Sequence, residues 1–275
     1  MRRSSPIFLL TIIILLIISC ACMPNKTYKL DDRRVSPGVT VEGLDAGGIS
    51  KEELNILMQE VAAKKNQPAR NAYFDGAGVI MSEQAGKTLD INQTVANVLE
   101  AKPHAKVSAI FSVIKPIITE NELRKARVMG SFVTDILDDS PGRLHNLRLT
   151  ASFINNTDLE VGQEFSFNRA AGEPTKEKGF QEAIIFGEDG QAVLEVGGGM
   201  CQVSSTLYNA VLAADLKVTE RHPHSRAVNY VPPGRDATIY TDKDFRFVNT
   251  SRKQLVIRVI EKNKKLSVDL LSIDK

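Results

Sequence analysis

Cys201 follows Gly197-Gly198-Gly199-Met200 and opens the run Cys201-Gln202-Val203-Ser204-Ser205-Thr206-Leu207-Tyr208. Three glycines let a backbone adopt conformations closed to other residues and let a ligand come close. Val203, Leu207, Ala210, Val211 and Ala214 recur at helical spacing, which predicts a helix with one apolar face. Cys201 falls off that face. Ser204, Ser205 and Tyr208, three, four and seven residues on, share its side. The cysteine therefore heads a hydroxyl-lined stripe at a helix N-terminus, where the macrodipole and free N–H groups are expected to lower a thiol's pKa.

A nucleophile of this kind needs a base, and Glu220-Arg221-His222-Pro223-His224-Ser225 follows. Either His222 or His224 can serve, with Asp236 or Asp244 to orient the ring. The order Cys, His, Asp is that of papain-like and transglutaminase-like thiol enzymes, although geometry decides such triads. Three other readings use the same region. Cys201 can be a buried, inert thiol. With His222 and His224 it can ligate a catalytic zinc, but no fourth ligand stands in a motif, so no metal or cofactor is expected. Glu173, Glu195, Glu220 or Asp236 can supply the acid for cutting glycan strands if one of them has a raised pKa. His104 and His145 read as ordinary surface or capping residues.

The elements around these residues predict an α+β fold in two domains. Ser50-Lys51-Glu52-Glu53 is a capping box before Leu54, Leu57, Met58 and Val61 at helical spacing. Pro37 to Leu44 reads as one alternating strand, and Val79 to Met81 and Ala109 to Ile114 as two more. Asp90 to Gln93 caps a second helix, and Thr119 to Glu122 a third that carries the chain towards Met129. Leu144 to Ile154 reads as a helix ending at Asn155-Asn156, and Lys217 to Arg221 as a short strand. Leu255 to Ile260 and Leu266 to Leu271 flank a turn and predict a β-hairpin. The expected organisation is residues 1–22 as a targeting segment, 23–34 as a tether, 35–129 as a small α/β domain and 130–275 as a mixed α+β domain ending in that hairpin.

The chain has 275 residues and a formal net charge of only +2, so nucleic acid is not an expected partner. Met1-Arg2-Arg3 precedes an apolar run from Ile7 to Ile18, broken only by Thr11, which suits a signal-peptide core. Ile17-Ile18-Ser19-Cys20 looks like a bacterial lipobox with Cys20 as the lipidated residue; the alternative is an uncleaved anchor. Either reading places the rest of the chain outside the cytoplasm, tethered to the membrane. With Cys20 and Cys22 in that segment, Cys201 is alone in the folded body. An unpaired thiol in an exported protein calls for a reason.

Several long runs resemble the VanW family: Val161 to Asn168, Gly172-Glu173, Gly179-Phe180, Gly197 to Ala210, Glu220 to Ser225, Tyr230 to Thr238 and Asp244 to Asn249. The first domain resembles the peptidoglycan-binding-like domain that often precedes VanW domains. The resemblance implies a bacterial cell-envelope role with peptidoglycan or its stem peptides as partner. On that footing Cys201 is the nucleophile, His224 or His222 the base and Asp236 the orienting group. Gly198, Gly199, Gln202, Ser204, Ser205, Tyr208, Arg221 and Arg235 line the substrate. A non-catalytic wall-binding module, using the same stripe with Arg221, Arg226 or Arg235, is the competing expectation.

Overall fold

Two short strands near the start show how local chemistry sets the fold. Thr40–Val41 pairs antiparallel with Leu44–Asp45 and parallel with Lys106–Val107. The sequence suggests one strand through Leu44. Instead Glu42 and Gly43, at φ 53° and 82°, fold it into a tight hairpin, since two positive φ values give the turn that matches strand twist. The computed structural model describes residues 32–186 and 191–274; the lipobox with Cys20, and Cys22, lie outside the described residues. The architecture is mixed α+β, as predicted. It divides into two compact units: the described residues up to Leu57 with Val95–Ser108, and Met58–Thr94 with the chain from Ala109 onward.

Helix starts follow their caps. The Ser50 amide donates to the Glu53 carboxylate at 2.7 Å while the Glu53 amide donates to Ser50 Oγ, opening helix Lys51–Lys65. Thr119 and Glu122 form the same reciprocal pair before helix Glu120–Lys125. That helix does not reach Met129 as expected. From Arg127 the chain is claimed by a sheet, whose ladder bonds satisfy its backbone instead.

That sheet holds the second unit together. It is antiparallel, in the order Arg127–Asp135, Lys265–Ile273, Gln254–Lys262, Asp158–Leu159. The expected C-terminal hairpin is its centre, turning at Asn263 and Lys264, both at positive φ. Helices Pro141–Ile154 and Met200–Ala213 pack on the sheet. Leu147, Ile154, Leu207, Val211, Ile257 and Leu270 meet in one core, each worth roughly 1.5–3 kcal/mol of burial. A smaller sheet of Glu164–Ser166, Arg246–Val248 and Lys217–Glu220 carries Phe165 and Phe247, whose rings lie 5.2 Å apart, and Phe247 stacks on Phe245 at 5.8 Å. A hairpin of Glu182–Phe186 and Ala192–Val196, not read from the sequence, leads directly into the glycines before Cys201.

The cysteine helix approaches strand Arg127–Asp135 at Gly130. A Cβ there would lie 2.2 Å from the Ala210 carbonyl oxygen and 2.6 Å from the Ala214 nitrogen. Backbone atoms cannot swing aside, so Gly130→Ala should lower unfolding stability by roughly 1–3 kcal/mol, the usual cost of overpacking. Gly76→Ala, with nothing within 4 Å of its Cβ, should leave the denaturation midpoint nearly unchanged.

Candidate functional site

The three glycines are spent on the protein's own packing. Gly197 and Gly199 are left-handed at φ 94° and 114°, and Gly199 is the N-cap of helix Met200–Ala213. A Cβ at Gly197 would meet Pro174 at 2.5 Å, one at Gly198 would meet Ala183 at 2.9 Å and Ile185 at 3.0 Å, and one at Gly199 would meet the Arg143 carbonyl at 3.1 Å. The turn therefore brings hairpin, loop and neighbouring helix together around the start of the cysteine helix.

The polar stripe also faces inward. Ser204 and Ser205 are fully buried. Ser204 Oγ donates to the Ala237 carbonyl at 2.5 Å, and the Ala237 amide donates to Ser205 Oγ at 2.9 Å. Gln202 Nε2 donates to the Asp135 carbonyl at 2.9 Å, and Asn209 Nδ2 to the Arg235 carbonyl at 2.6 Å. Buried polar groups must be bonded, and here the partners are the strand ending at Asp135 and the segment Arg235–Ala237. Tyr208 is half-buried, edge-on to Phe245 at 5.6 Å with the Arg221 guanidinium 5.5 Å from its ring centre. The Arg235 side chain is exposed.

Clipping Arg235 and Ala237 to the helix fixes Asp236 between them. Its Oδ2 accepts from the His224 amide at 2.6 Å and lies 2.7 Å from His224 Nδ1. Its Oδ1 accepts from Arg221 Nη2 at 2.9 Å, and Arg221 Nε donates to the Asp236 carbonyl at 2.6 Å. Burial pushes the Asp236 carboxyl up, but the hydrogen bonds from His224 outweigh it and hold the group below its ordinary value. An ionised Asp236 accepts Nδ1–H, which leaves Nε2 of His224 as the basic nitrogen. His222 is turned elsewhere: its Nε2 lies 3.0 Å from Glu220 Oε1. Asp244 is used up structurally, accepting from Ser166, the amides of Asn168 and Phe245, and Arg246. Of the candidates, the structure brings His224 and Asp236 together.

The thiol does not complete a direct triad. Cys201 is half-buried, and its Sγ donates to the Ile239 carbonyl at 3.7 Å, with no hydrogen bond to either imidazole among the described residues. Burial pushes its pKa up, and the opposing pull of the Ile239 backbone, of Arg143 and of its own amide does not overcome that. The expected lowering by the helix terminus is thus reversed by desolvation. Cys201, His222 and His224 are not gathered as a metal-ligand cluster. Glu173 and Glu195 are exposed rather than set in an apolar pocket, and Asp236 is held ionised rather than protonated, the opposite of what a glycan-cleaving acid requires.

Two residues absent from the sequence reading of the site contact its members. The Tyr230 hydroxyl is 3.5 Å from His224 Nε2, and its ring is edge-on to the imidazole. Arg143, in the first turn of its helix, donates from Nη2 to Gln202 Oε1 at 3.0 Å. Its Nε is 4.0 Å from Asp138 and is buried without a hydrogen-bond partner. Tyr230 shares the run Tyr230 to Thr238 with Asp236, a signal that could have found it. Arg143 has no local motif, and a cation there opposes the helix macrodipole.

Residues 142–271 match the family model described as VanW like protein, a span that holds every residue of the site. Over 147 residues, 53% of the chain, the sequence is 41% identical to the uncharacterized protein YoaR of Bacillus subtilis (strain 168). Over 82 residues, 30% of the chain, it is 29% identical to the vancomycin B-type resistance protein VanW of Enterococcus faecalis (strain ATCC 700802 / V583). The matches cover 48% and 30% of those proteins' own lengths. No solved structure matches.

Two measurements follow from the electrostatics. Alkylation of Cys201 by iodoacetamide should titrate above a free thiol's pKa of about 8.5, because burial disfavours the thiolate. Asp236→Asn should cost about 1–3 kcal/mol at neutral pH by disturbing the buried Arg221 and His224 bonds. A carboxylate with a depressed folded pKa contributes stability above its unfolded value of about 3.9 and loses it as pH falls through the folded one. The gap between wild type and Asp236→Asn in urea denaturation should therefore close in acid.

Proposed function

Because residues 142–271 make this chain a member of the VanW family, we propose that it is an exported, membrane-tethered cell-envelope protein whose Cys201 performs acyl transfer on the peptide part of peptidoglycan. The family carries the coarser part of this reading, a cell-envelope-related protein. The His224–Asp236 pair, 2.7 Å apart beside the cysteine helix, carries the chemistry. The tether rests on the N-terminal sequence, as no helix among the described residues is long and apolar enough to cross a membrane. The first domain, in this reading, holds the wall.

His224 Nε2 takes the thiol proton while Asp236 stabilises the imidazolium through Nδ1–H. The thiolate adds to a peptide carbonyl, and N–H groups at the start of helix Met200–Ala213 receive the oxyanion. The tetrahedral adduct collapses to a thioester as the amine leaves with the proton from His224. Water then gives hydrolysis, or a second amine gives a new cross-link. A second reading, a non-catalytic binder of stem peptides, draws support from the protonated thiol held on the Ile239 carbonyl.

The full chain incubated with purified peptidoglycan fragments separates them. Cys201→Ala should abolish turnover, His224→Ala should lower it about 10²–10⁴-fold, and His222→Ala should leave it within a few-fold. A thioester adduct on the Cys201 peptide, seen by mass spectrometry, completes the case. Full turnover by Cys201→Ala would sink the thiol mechanism, and binding without turnover by the wild type would establish the binder.

A further inference from the structure

Alternate residues of strand Gln254–Lys262 point to opposite faces of the large sheet. Leu255, Ile257 and Val259 enter the core that holds the cysteine helix, while Val256 joins a second cluster with Phe74, Leu123 and Leu271. Arg258 shares the side of Val256. There a cavity of about 310 Å³ is lined by Phe74, Leu123, Val128 and Leu271 together with Arg124 and Arg258. All six belong to the second compact unit. Arg258 donates from Nε and Nη2 to Asp269 Oδ2 at 3.0 and 2.8 Å, and its guanidinium lies 5.1 Å from the Phe74 ring centre. Asp269 is steadied in turn by Ser131 Oγ at 2.6 Å, and Phe74 by reciprocal bonds with the Asn156 side chain at 2.7 and 2.8 Å. Arg124 donates from Nε and Nη2 to Glu120 Oε1 at 2.8 and 2.5 Å. Each guanidinium thus spends one edge on a carboxylate, and the Nη1 of each has no hydrogen bond among the described residues.

We propose that this cavity binds the C-terminal residue of a short peptide, with the carboxylate received by the free Nη1 groups and a small apolar side chain against Phe74, Leu123 and Leu271. The volume lies at the small end of ligand sites, which suits one or two residues rather than a polymer. Guanidinium donors match a carboxylate's geometry. Glu120 and Asp269 already balance the two cations, so the rim carries no net charge to draw a polyanion. A monoanion with an apolar body is the better complement. Arg258 is locked by Asp269 and Phe74, so it loses little side-chain freedom on binding. The edge strand selects a peptide over a fatty acid. Val128 belongs to strand Arg127–Asp135, which has no strand on its outer side among the described residues. Such an edge offers N–H and C=O groups to an incoming backbone, and a fatty acid has none to pair with them. The cysteine helix packs on the other face of the sheet, so this site does not depend on the acyl-transfer reading.

The test reads the cavity itself. The full chain in detergent, with isotope-labelled Leu and Val methyl groups, would be titrated by NMR with N-acetyl-alanyl-alanine, its C-terminal amide, octanoate and inorganic phosphate. The free acid should shift Leu123, Val128 and Leu271 saturably, and the amide should bind about tenfold or more weakly for want of charge-assisted bonds. Arg124→Ala should weaken the acid several-fold. At Val128, which is 54% exposed, Val128→Glu should nearly abolish binding and Val128→Lys should preserve or tighten it. No shift at millimolar peptide, equal binding of acid and amide, or wild-type affinity in Arg124→Ala or Val128→Glu would overturn the site. Octanoate or phosphate moving the same methyls as readily as the peptide would overturn the peptide assignment. Shifts confined to Val203 and Leu207 on the cysteine helix would also overturn the cavity, while leaving substrate binding near Cys201 intact. A thermal melt checks that each variant is folded. The comparison of acid with amide uses wild type alone and decides even where a variant fails to fold.

Discussion

The helix that carries Cys201 is buried on its polar side as well as its apolar one. Gln202, Ser204, Ser205, Thr206 and Asn209 are each 1% exposed or less, alongside Val203, Leu207 and Val211. Hydrophobic burial is non-directional and would let the helix slide on its sheet. The polar side does not. An unbonded buried group costs about 1–3 kcal/mol, so each hydroxyl and amide dictates where a neighbour must stand. Thr206 and Gln202 register the helix on Thr134 and Asp135 of the edge strand. Ser204, Ser205 and Asn209 register the segment Arg235–Ala237 on the other flank.

From that clip the site follows. Asp236 is placed by bonds on the residues to either side of it, none of which uses its carboxylate, so the carboxylate is left available. It then organises His224 through both backbone and ring and anchors Arg221, so one group sets tautomer, ring direction and local charge. Asp244 is the instructive contrast. It is a buried carboxylate of the same kind, but its oxygens are filled by Ser166, two amides and Arg246, which hold the phenylalanine sheet together. Residue type alone does not separate the two. The difference is whether a bonded partner has a free, basic end.

How much of this was legible in the sequence depends on the range of the interaction. Capping boxes at Ser50 and Thr119, the C-terminal hairpin and the helix after the glycines are local, and each reads directly from spacing. A helical wheel sorts residues by side but does not say which side is buried. The stripe of Gln202, Ser204 and Ser205 looked ligand-facing because its partners, Thr134 and Ala237, are remote in the chain. The glycines raised the same ambiguity, since close approach by a ligand and by the chain itself require the same residue. His222 and His224 are equivalent by spacing, and only the tertiary positions of Glu220 and Asp236 divide them. Tyr230 lay in a motif without any feature that marks it as facing His224.

The thiol itself is under opposed influences. A helix N-terminus, its own amide and Arg143 favour the thiolate, yet desolvation outweighs them and keeps the proton on sulfur. In the exported setting proposed here that balance has a use. A protonated, half-buried thiol reacts slowly with oxidants, because the thiolate is the form they attack. A free cysteine can then persist where disulfides form readily, provided that a base is close by to ionise it when needed. The same exclusion of water that quiets the resting thiol strengthens the field of Arg143 and of the helix N–H groups on any charge that develops there. Under the proposed mechanism, protection at rest and stabilisation during reaction are two consequences of one burial, with the His224–Asp236 pair converting the first state into the second.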